Sequence, residues 1–125
     1  MAYFTSLGEN PQYPDIMKPD ITAPGLQILA AWTPHGYEFV IPEGETFVAI
    51  QGTSMASPHV AGVFALIKQA FPHWSASTAK SAVMTTAYQK VLKNDKVTAA
   101  NAFERGSGHV SHENKWLQPG VVYDA

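Results

Sequence analysis

The stretch Gly52-Thr53-Ser54 places a hydroxyl at the expected start of a long helix. A serine hydroxyl becomes a useful nucleophile when it is exposed, close to a base, and close to N–H donors for a developing oxyanion. A helix N-terminus supplies such donors, because its first N–H groups are unpaired and the helix dipole favours negative charge. Gly52 lets a substrate carbonyl approach closely. The stretch therefore fits acyl transfer, with Ser54 as nucleophile and with Gly52 and Thr53 as candidate substrate-binding residues.

Ser54 also has a simpler possible role. Serine is a frequent helix N-cap, and without other information the cap is the more common reason for a serine at this place. The nucleophile elbow of the α/β-hydrolases does not apply, because Ala56 occupies the second glycine position of Gly-x-Ser-x-Gly. The residues by themselves therefore leave both roles open.

A long helix must carry this stretch. The pattern predicts a helix from about Ser54 to Phe71, with Pro58 in its first turn and Pro72 helping to end it. No Asp, Glu, Lys or Arg occurs between Met55 and Ile67, so we expect this helix to be buried on most of its faces.

A second helix and several short strands complete the expected pattern. Ser75 is expected to cap a helix from about Ala76 to Tyr88, with Lys80 opposite an apolar stripe made of Ala76, Ala79, Val83 and Ala87. Residues 92–108 are expected to form a loop. Strands are expected in AYFTS (2–6), LQILAAW (26–32) and PGVVYDA (119–125), and a hairpin in FVI-PEGE-TFVAI (39–50). Strands that alternate with helices predict an α/β protein.

Composition excludes several classes of function. Charged residues make up only 14% of the 125 residues and hydrophobic residues 46%, which favours a domain with much surface meant for burial. The net charge is −2, and no basic run occurs, so we predict no nucleic-acid or membrane partner. The absence of cysteine excludes disulfides and thiolate sites. The stretch MAYFTSLGEN lacks the features of a signal peptide, and no apolar run is long enough to span a membrane.

The stretch GTSMASPHVAG, residues 52–62, closely resembles the nucleophile motif of the subtilisin-like serine proteases, the subtilases. Four other stretches resemble family segments in the same order: MAYFTSLG, DIMKPDITAPGLQILAAW, HWSASTAKSAVMTTA and GSGHVSHENKWLQPGVVYDA. Leu7 stands where an arginine is common. The resemblance covers nearly the whole chain, and it implies that Ser54 is the nucleophile and that its backbone N–H belongs to the oxyanion hole.

The resemblance also implies a fold and an activity. The fold would be the C-terminal part of a three-layer α/β domain with a mostly parallel sheet and a buried central nucleophile helix. Residues 1–125 would then be a partial catalytic domain that lacks the N-terminal part with the Asp and His of the Ser-His-Asp triad and the oxyanion Asn. We therefore predict an exported serine endopeptidase that is inactive as this chain alone. Its partners would be polypeptide substrates and the missing N-terminal part. The alternative is an inert remnant that binds a protein partner through an exposed apolar face.

No residue of this chain is expected to replace the missing groups. His59 follows Ser54 by five positions, which is about 140° around a helix, so the two side chains diverge. Asp20 matches a position near a weak cation site of some relatives, but large subtilases often lack that site, and we predict no metal and no cofactor. The remaining candidates lack the family's His-Gly-Thr and Asp-Ser/Thr-Gly settings: His35, His73, His109, His112, Asp15, Asp95 and Asp124.

Overall fold

The computed structural model describes residues 1–35, 41 and 43–124. Its helices and strands are, in chain order, β1 (Ile28–Ala31), β2 (Phe47–Ile50), α1 (Thr53–Ala70), α2 (Ala76–Thr85), α3 (Ala102–Arg105) and a 3₁₀ turn at Lys115–Leu117. β1 and β2 pair antiparallel, with Ile28 opposite Ile50 and Ala31 opposite Phe47. Within these described residues, no helix has the length and apolar character needed to cross a membrane.

The core lies where the C-terminal half of α1 meets α2 and the 3₁₀ turn. The side chains of Ile67, Val83 and Trp116 are almost completely buried, and Ala79 and Val110 belong to the same cluster. The Trp116 indole nitrogen donates a hydrogen bond to the backbone carbonyl of Ser111 at 3.3 Å. The largest ring of the core is therefore buried with its polar N–H group paired.

Helix α1 has the predicted extent but not the predicted burial. It begins and ends within one residue of the expected positions, yet Ile67 is its only buried residue among those described. The neighbouring Leu66 is 51% exposed. Pro58 lies in the second turn, not the first, and because proline has no N–H, the Ser54 carbonyl lacks its usual helical donor.

Helix α2 confirms the predicted cap at Ser75, whose hydroxyl accepts a hydrogen bond from the Thr78 amide at 3.0 Å. The helix ends at Thr85, three residues earlier than predicted. The reason is a competing pair of backbone hydrogen bonds between Tyr88 and His109, at 2.7 and 2.8 Å. The predicted stripe is confirmed except at its first alanine, which is exposed; the buried apolar residues of this region are Ala79, Ala82, Val83 and Ala87.

Two of the predicted strands are wrong. The stretch AYFTS contains a turn at Tyr3 and Phe4, with a hydrogen bond from the Thr5 amide to the Ala2 carbonyl at 3.2 Å. Residues 119–124 form no strand, and Val121, Tyr123 and Asp124 contact α2 instead. Residues of high β propensity form strands only where another strand pairs with them, and no described strand pairs with either stretch.

The other strand predictions are partly confirmed. LQILAAW contains β1, but β1 is not a buried strand, since Leu29 is 71% exposed. TFVAI contains β2, which pairs with β1. Residues 39, 40 and 42 of the predicted hairpin lie outside the described residues.

The predicted loop at 92–108 contains one helical turn, α3. A capping box fixes its start, because Asn101 Oδ1 accepts from the Glu104 amide at 3.1 Å and Glu104 Oε2 accepts from the Asn101 amide at 2.8 Å. The signal was present in the sequence as Asn-x-x-Glu, which has the usual capping-box spacing with Asn in place of Ser or Thr.

The expected sheet and central helix are not confirmed within the described residues. The sheet found there is one antiparallel pair, and the only parallel contact is an isolated bridge between Thr22 and His109. Among the described helices and strands, α1 packs mainly against α2 and the 3₁₀ turn. A parallel sheet and a fully covered α1 would need strands and helices beyond those described.

The burial of Ile67 leads to a stability prediction. Ile67→Ala removes the α1 side chain that is most deeply buried, so we expect a loss of about 2–5 kcal/mol in the free energy of unfolding. Leu66→Ala, one residue earlier and half exposed, is the matched control and should change the free energy by less than about 1 kcal/mol. Urea titration followed by circular dichroism measures both. Equal losses in the two variants would contradict the position of the core.

Candidate active site

Ser54 is the second residue of α1, and its side chain is exposed. The N-cap is Gly52, which has no side chain, so Ser54 does not act as the cap. The amide of Met55 donates to the Gly52 carbonyl at 3.1 Å, whereas the Ser54 amide finds no backbone acceptor among the described residues. Ser54 thus combines an accessible hydroxyl with a free N–H at the positive end of a helix of 18 residues.

A close contact between two glycines holds the start of α1. The Gly52 amide donates to the Gly25 carbonyl at 2.8 Å. A Cβ on Gly25 would lie 2.7 Å from the Gly52 carbonyl oxygen and 3.3 Å from the Ala56 Cβ, so only glycine fits without a shift of the backbone. Sequence analysis did not single out Gly25; the available signal was the Pro-Gly pair just before a predicted strand.

The two strands keep both glycines in register. β2 ends at Ile50, two residues before Gly52, and β1 begins at Ile28, three residues after Gly25. Ile28 and Ile50 face each other as the last pair of the ladder. The antiparallel pair therefore brings the two glycine turns to the same end of the sheet, next to Ser54.

An apolar cleft of about 580 Å³ lies beside this turn. Gly52 and Thr53 line it together with Gly25, while Ser54 itself is next to the lining residues and not one of them. The opposite walls come from three places in the chain, namely residues 1–5, residues 91–96 and His109. Both predicted substrate-binding residues therefore border a cleft large enough for a peptide side chain.

Two of the described histidines contact backbone carbonyls through their rings. The His59 ring donates through Nδ1 to the Met55 carbonyl of its own helix at 2.7 Å, and this histidine is exposed. The His109 Nδ1 lies 2.9 Å from the Val110 carbonyl. Among the described residues, no hydrogen bond joins Ser54 to a histidine or a carboxylate; the other histidines, which are exposed, are His35, His73 and His112.

Asp20 is paired with two lysines. Its carboxylate oxygens lie 2.5 Å from Lys18 Nζ and 2.8 Å from Lys80 Nζ. Partial burial raises the pKa of Asp20, but the hydrogen bonds and charges of Lys18 and Lys80 lower it more, so the net pKa is below the ordinary value. Two ammonium groups already neutralise this carboxylate, and the described residues hold no cluster of three metal-ligating side chains.

Comparison with known proteins identifies the family. The sequence model of the Peptidase S8 subtilase family matches residues 1–113. The chain belongs to the subtilase family. It is 42% identical to the subtilisin-like protease SBT1.5 of Arabidopsis thaliana over 99% of this chain, and 47% identical to SBT1.9 of the same plant over 97% of this chain.

The fold agrees with this assignment. The crystal structure of fervidolysin from Fervidobacterium pennivorans, a keratinolytic enzyme related to subtilisin, superposes on 77% of this chain with a TM-score of 0.54 and 27% sequence identity. The chain therefore shares the α/β fold of a subtilisin-related enzyme, and its family is one of serine proteases. It spans 17% of the length of SBT1.5 and 15% of that of the fervidolysin chain.

The glycine contact leads to a prediction about Ser54. Gly25→Ala should displace the Gly52 turn and lower the free energy of unfolding by about 1–3 kcal/mol, because the new Cβ meets a backbone oxygen that cannot rotate away. Gly62→Ala is the control, since a Cβ there meets nothing within 4 Å. It should stabilise α1 by up to about 1 kcal/mol. Urea midpoints and the NMR shift of the Ser54 amide report both effects. An unmoved Ser54 resonance in Gly25→Ala would refute the contact.

Proposed function

We propose that this chain is the C-terminal part of a subtilase catalytic domain whose complete form hydrolyses peptide bonds through an acyl-enzyme on Ser54. The observation that carries the proposal is the exposure of Ser54 together with its position at the start of α1. Its hydroxyl is exposed and its amide is free at the N-terminus of α1, inside the motif by which the chain resembles its family. An exposed nucleophile beside an unpaired N–H is the arrangement that acyl transfer requires.

Each residue of the turn has a separate role in this proposal. Ser54 Oγ attacks the scissile carbonyl and forms a tetrahedral intermediate with a negatively charged oxygen. The C–N bond then breaks as the leaving amine takes a proton, which leaves an ester on Ser54, and water hydrolyses this ester. The Ser54 amide donates to the oxyanion. Gly52 lies directly before the first turn of α1 and borders the cleft. Thr53 borders the cleft where substrate would lie.

The remaining catalytic groups come from the missing N-terminal part in this proposal. A histidine takes the Ser54 proton and passes it to the leaving amine, an aspartate orients that histidine, and an asparagine completes the oxyanion hole. In subtilisin, the reference enzyme of this family, loss of the base or the nucleophile alone lowers kcat by about 2 × 10⁶, a value that belongs to that enzyme. We therefore expect the chain alone to have negligible proteolytic activity.

Exposed hydrophobic side chains support the proposal that this chain is only part of a domain. Among the described residues, one large hydrophobic side chain is exposed on each of α1, β1 and β2, namely Leu66 at 51%, Leu29 at 71% and Phe47 at 63%. Single exposed hydrophobic residues are ordinary, but in this proposal these three would pack against the missing part. The missing part would supply parallel strands and cover α1, and without it the chain would be marginally stable.

The substrates are polypeptides, as for the protease family. Export from the cytoplasm is part of the proposal and rests on the family alone. The cleft of residues 1–5 and 91–96 borders the turn of Ser54, so it contributes to substrate binding in this proposal.

A complementation experiment tests the proposed nucleophile. The chain is mixed with the N-terminal part of the catalytic domain of SBT1.5, which supplies the acid, base and oxyanion groups, and a fluorophosphonate probe is added. We expect the probe on Ser54 in the mixture and not on the chain alone. Ser54→Ala should abolish labelling. Ser57→Ala, an exposed serine on the same helix, is the control and should leave labelling unchanged.

Two outcomes would count against the proposal. A mixture that is folded by circular dichroism but takes no label would show that Ser54 is not an activated nucleophile. Equal labelling of the wild type and of Ser54→Ala in the mixture would show that another residue takes the probe, and would favour the inert protein-binding remnant instead.

A further inference from the structure

Residues 121–124 lie against one face of α2 after the end of the family match at residue 113. Ser77, Ser81 and Thr85 are spaced four residues apart, so their hydroxyls form one stripe along the helix. The chain runs along this stripe in the opposite direction to the helix. Asp124 reaches Ser77, Tyr123 reaches Ser81, and Val121 reaches Thr85.

Two of these three contacts are short hydrogen bonds, and in the third a carbonyl of the helix competes for the hydroxyl hydrogen. The Tyr123 amide donates to Ser81 Oγ at 2.8 Å, and Ser77 Oγ donates to Asp124 Oδ1 at 2.7 Å. The Thr85 hydroxyl lies 3.0 Å from the Val121 carbonyl and 2.8 Å from the Ser81 carbonyl of its own helix. Because a hydroxyl has a single hydrogen, these two carbonyls compete for it. Asp124 and Tyr123 therefore make the hydrogen bonds that hold this segment on α2.

The carboxylate of Asp124 sits at the N-terminus of α2. It accepts hydrogen bonds from the hydroxyls of Ser75, the N-cap, and Ser77. Ser75 Oγ in turn accepts from the Thr78 amide, so the carboxylate is joined through the cap to the first turn of the helix. A negative charge at this end is favoured by the helix dipole as well as by the two hydroxyl donors.

We propose that residues 121–124 form a strap that is locked on the hydroxyl stripe of α2 by the charged carboxylate of Asp124 and is released when that carboxylate is neutralised. The occupant of the stripe is this segment of the chain itself, which is seated on it. The inference rests on α2 and the strap alone and does not depend on the proposed activity.

Acid should release the strap. The groups that face the carboxylate are the hydroxyls of Ser75, Ser77 and Thr78, and no described residue forms an ion pair with it. Hydrogen bonds from Ser75, and then from Ser77 and Thr78, lower the pKa of Asp124 below its ordinary 3.8. Because the pKa of Asp124 is lowered in the folded state, the stabilisation of the strap by this charge is fully present at a pH above the ordinary pKa. The stabilisation is lost as the pH falls through the lower pKa of the folded state.

Hydrogen exchange at the Tyr123 amide of the full chain tests the strap. Asp124→Asn should lower the protection factor of this amide at pH 6 by about tenfold, the size expected when a hydrogen bond to a charged group is lost. Ser81→Ala removes the acceptor and should have a similar effect. The control Asp15→Asn neutralises another exposed carboxylate and should change nothing. In the wild type, but not in Asp124→Asn, the protection factor should also fall between pH 6 and pH 3.

The amide of Val83, in the buried part of α2, separates release of the strap from general unfolding. Its protection should be the same in all variants at pH 6. An unprotected Tyr123 amide in the wild type, an unchanged one in Asp124→Asn, or an equal loss at Tyr123 and Val83 would each overturn the proposal.

Discussion

The hydrogen bond from the Gly52 amide to the Gly25 carbonyl joins the chain before β1 to the turn that begins α1. Because both residues lack a side chain, the two backbones approach within a distance that a Cβ would prevent. The first turn of a helix sets the direction of everything that follows it. This contact therefore decides where Ser54 points, and the ladder of β1 and β2 prevents either glycine from moving independently.

α1 is anchored at one end and open at the other. Ile67 inserts into the core near the C-terminus of the helix, and Lys68 Nζ donates to the Pro72 carbonyl at 2.6 Å, which fixes the exit of the chain. The first turns, with Ser54, carry no buried side chain. The packed end holds the helix in place, while the first turns leave Ser54 exposed.

Local signals in the sequence were sufficient to locate the two longer helices. Caps, proline positions and apolar spacing located α1 and α2, whereas the role of Ser54 was left open by the residues and came from the family resemblance. The failures depend on distant partners. AYFTS forms a turn because no described strand pairs with it, and α2 ends early because Tyr88 pairs with His109, twenty-one positions away. Gly25 was missed for the same reason, since its role exists only when Gly52 lies beside it.

The structure has one well-packed region and one region with few buried side chains. α2 is occupied on both sides, with Ala79 and Val83 in the core and residues 121–124 on its hydroxyl stripe. On β1 and β2, Leu29 and Phe47 are instead exposed, and the first turns of α1 contain no buried side chain and border a cleft. Regions with many buried contacts open rarely and regions with few open often. The packed core therefore holds the C-terminal end of α1, whereas the hydrogen bond between Gly52 and Gly25 holds its start.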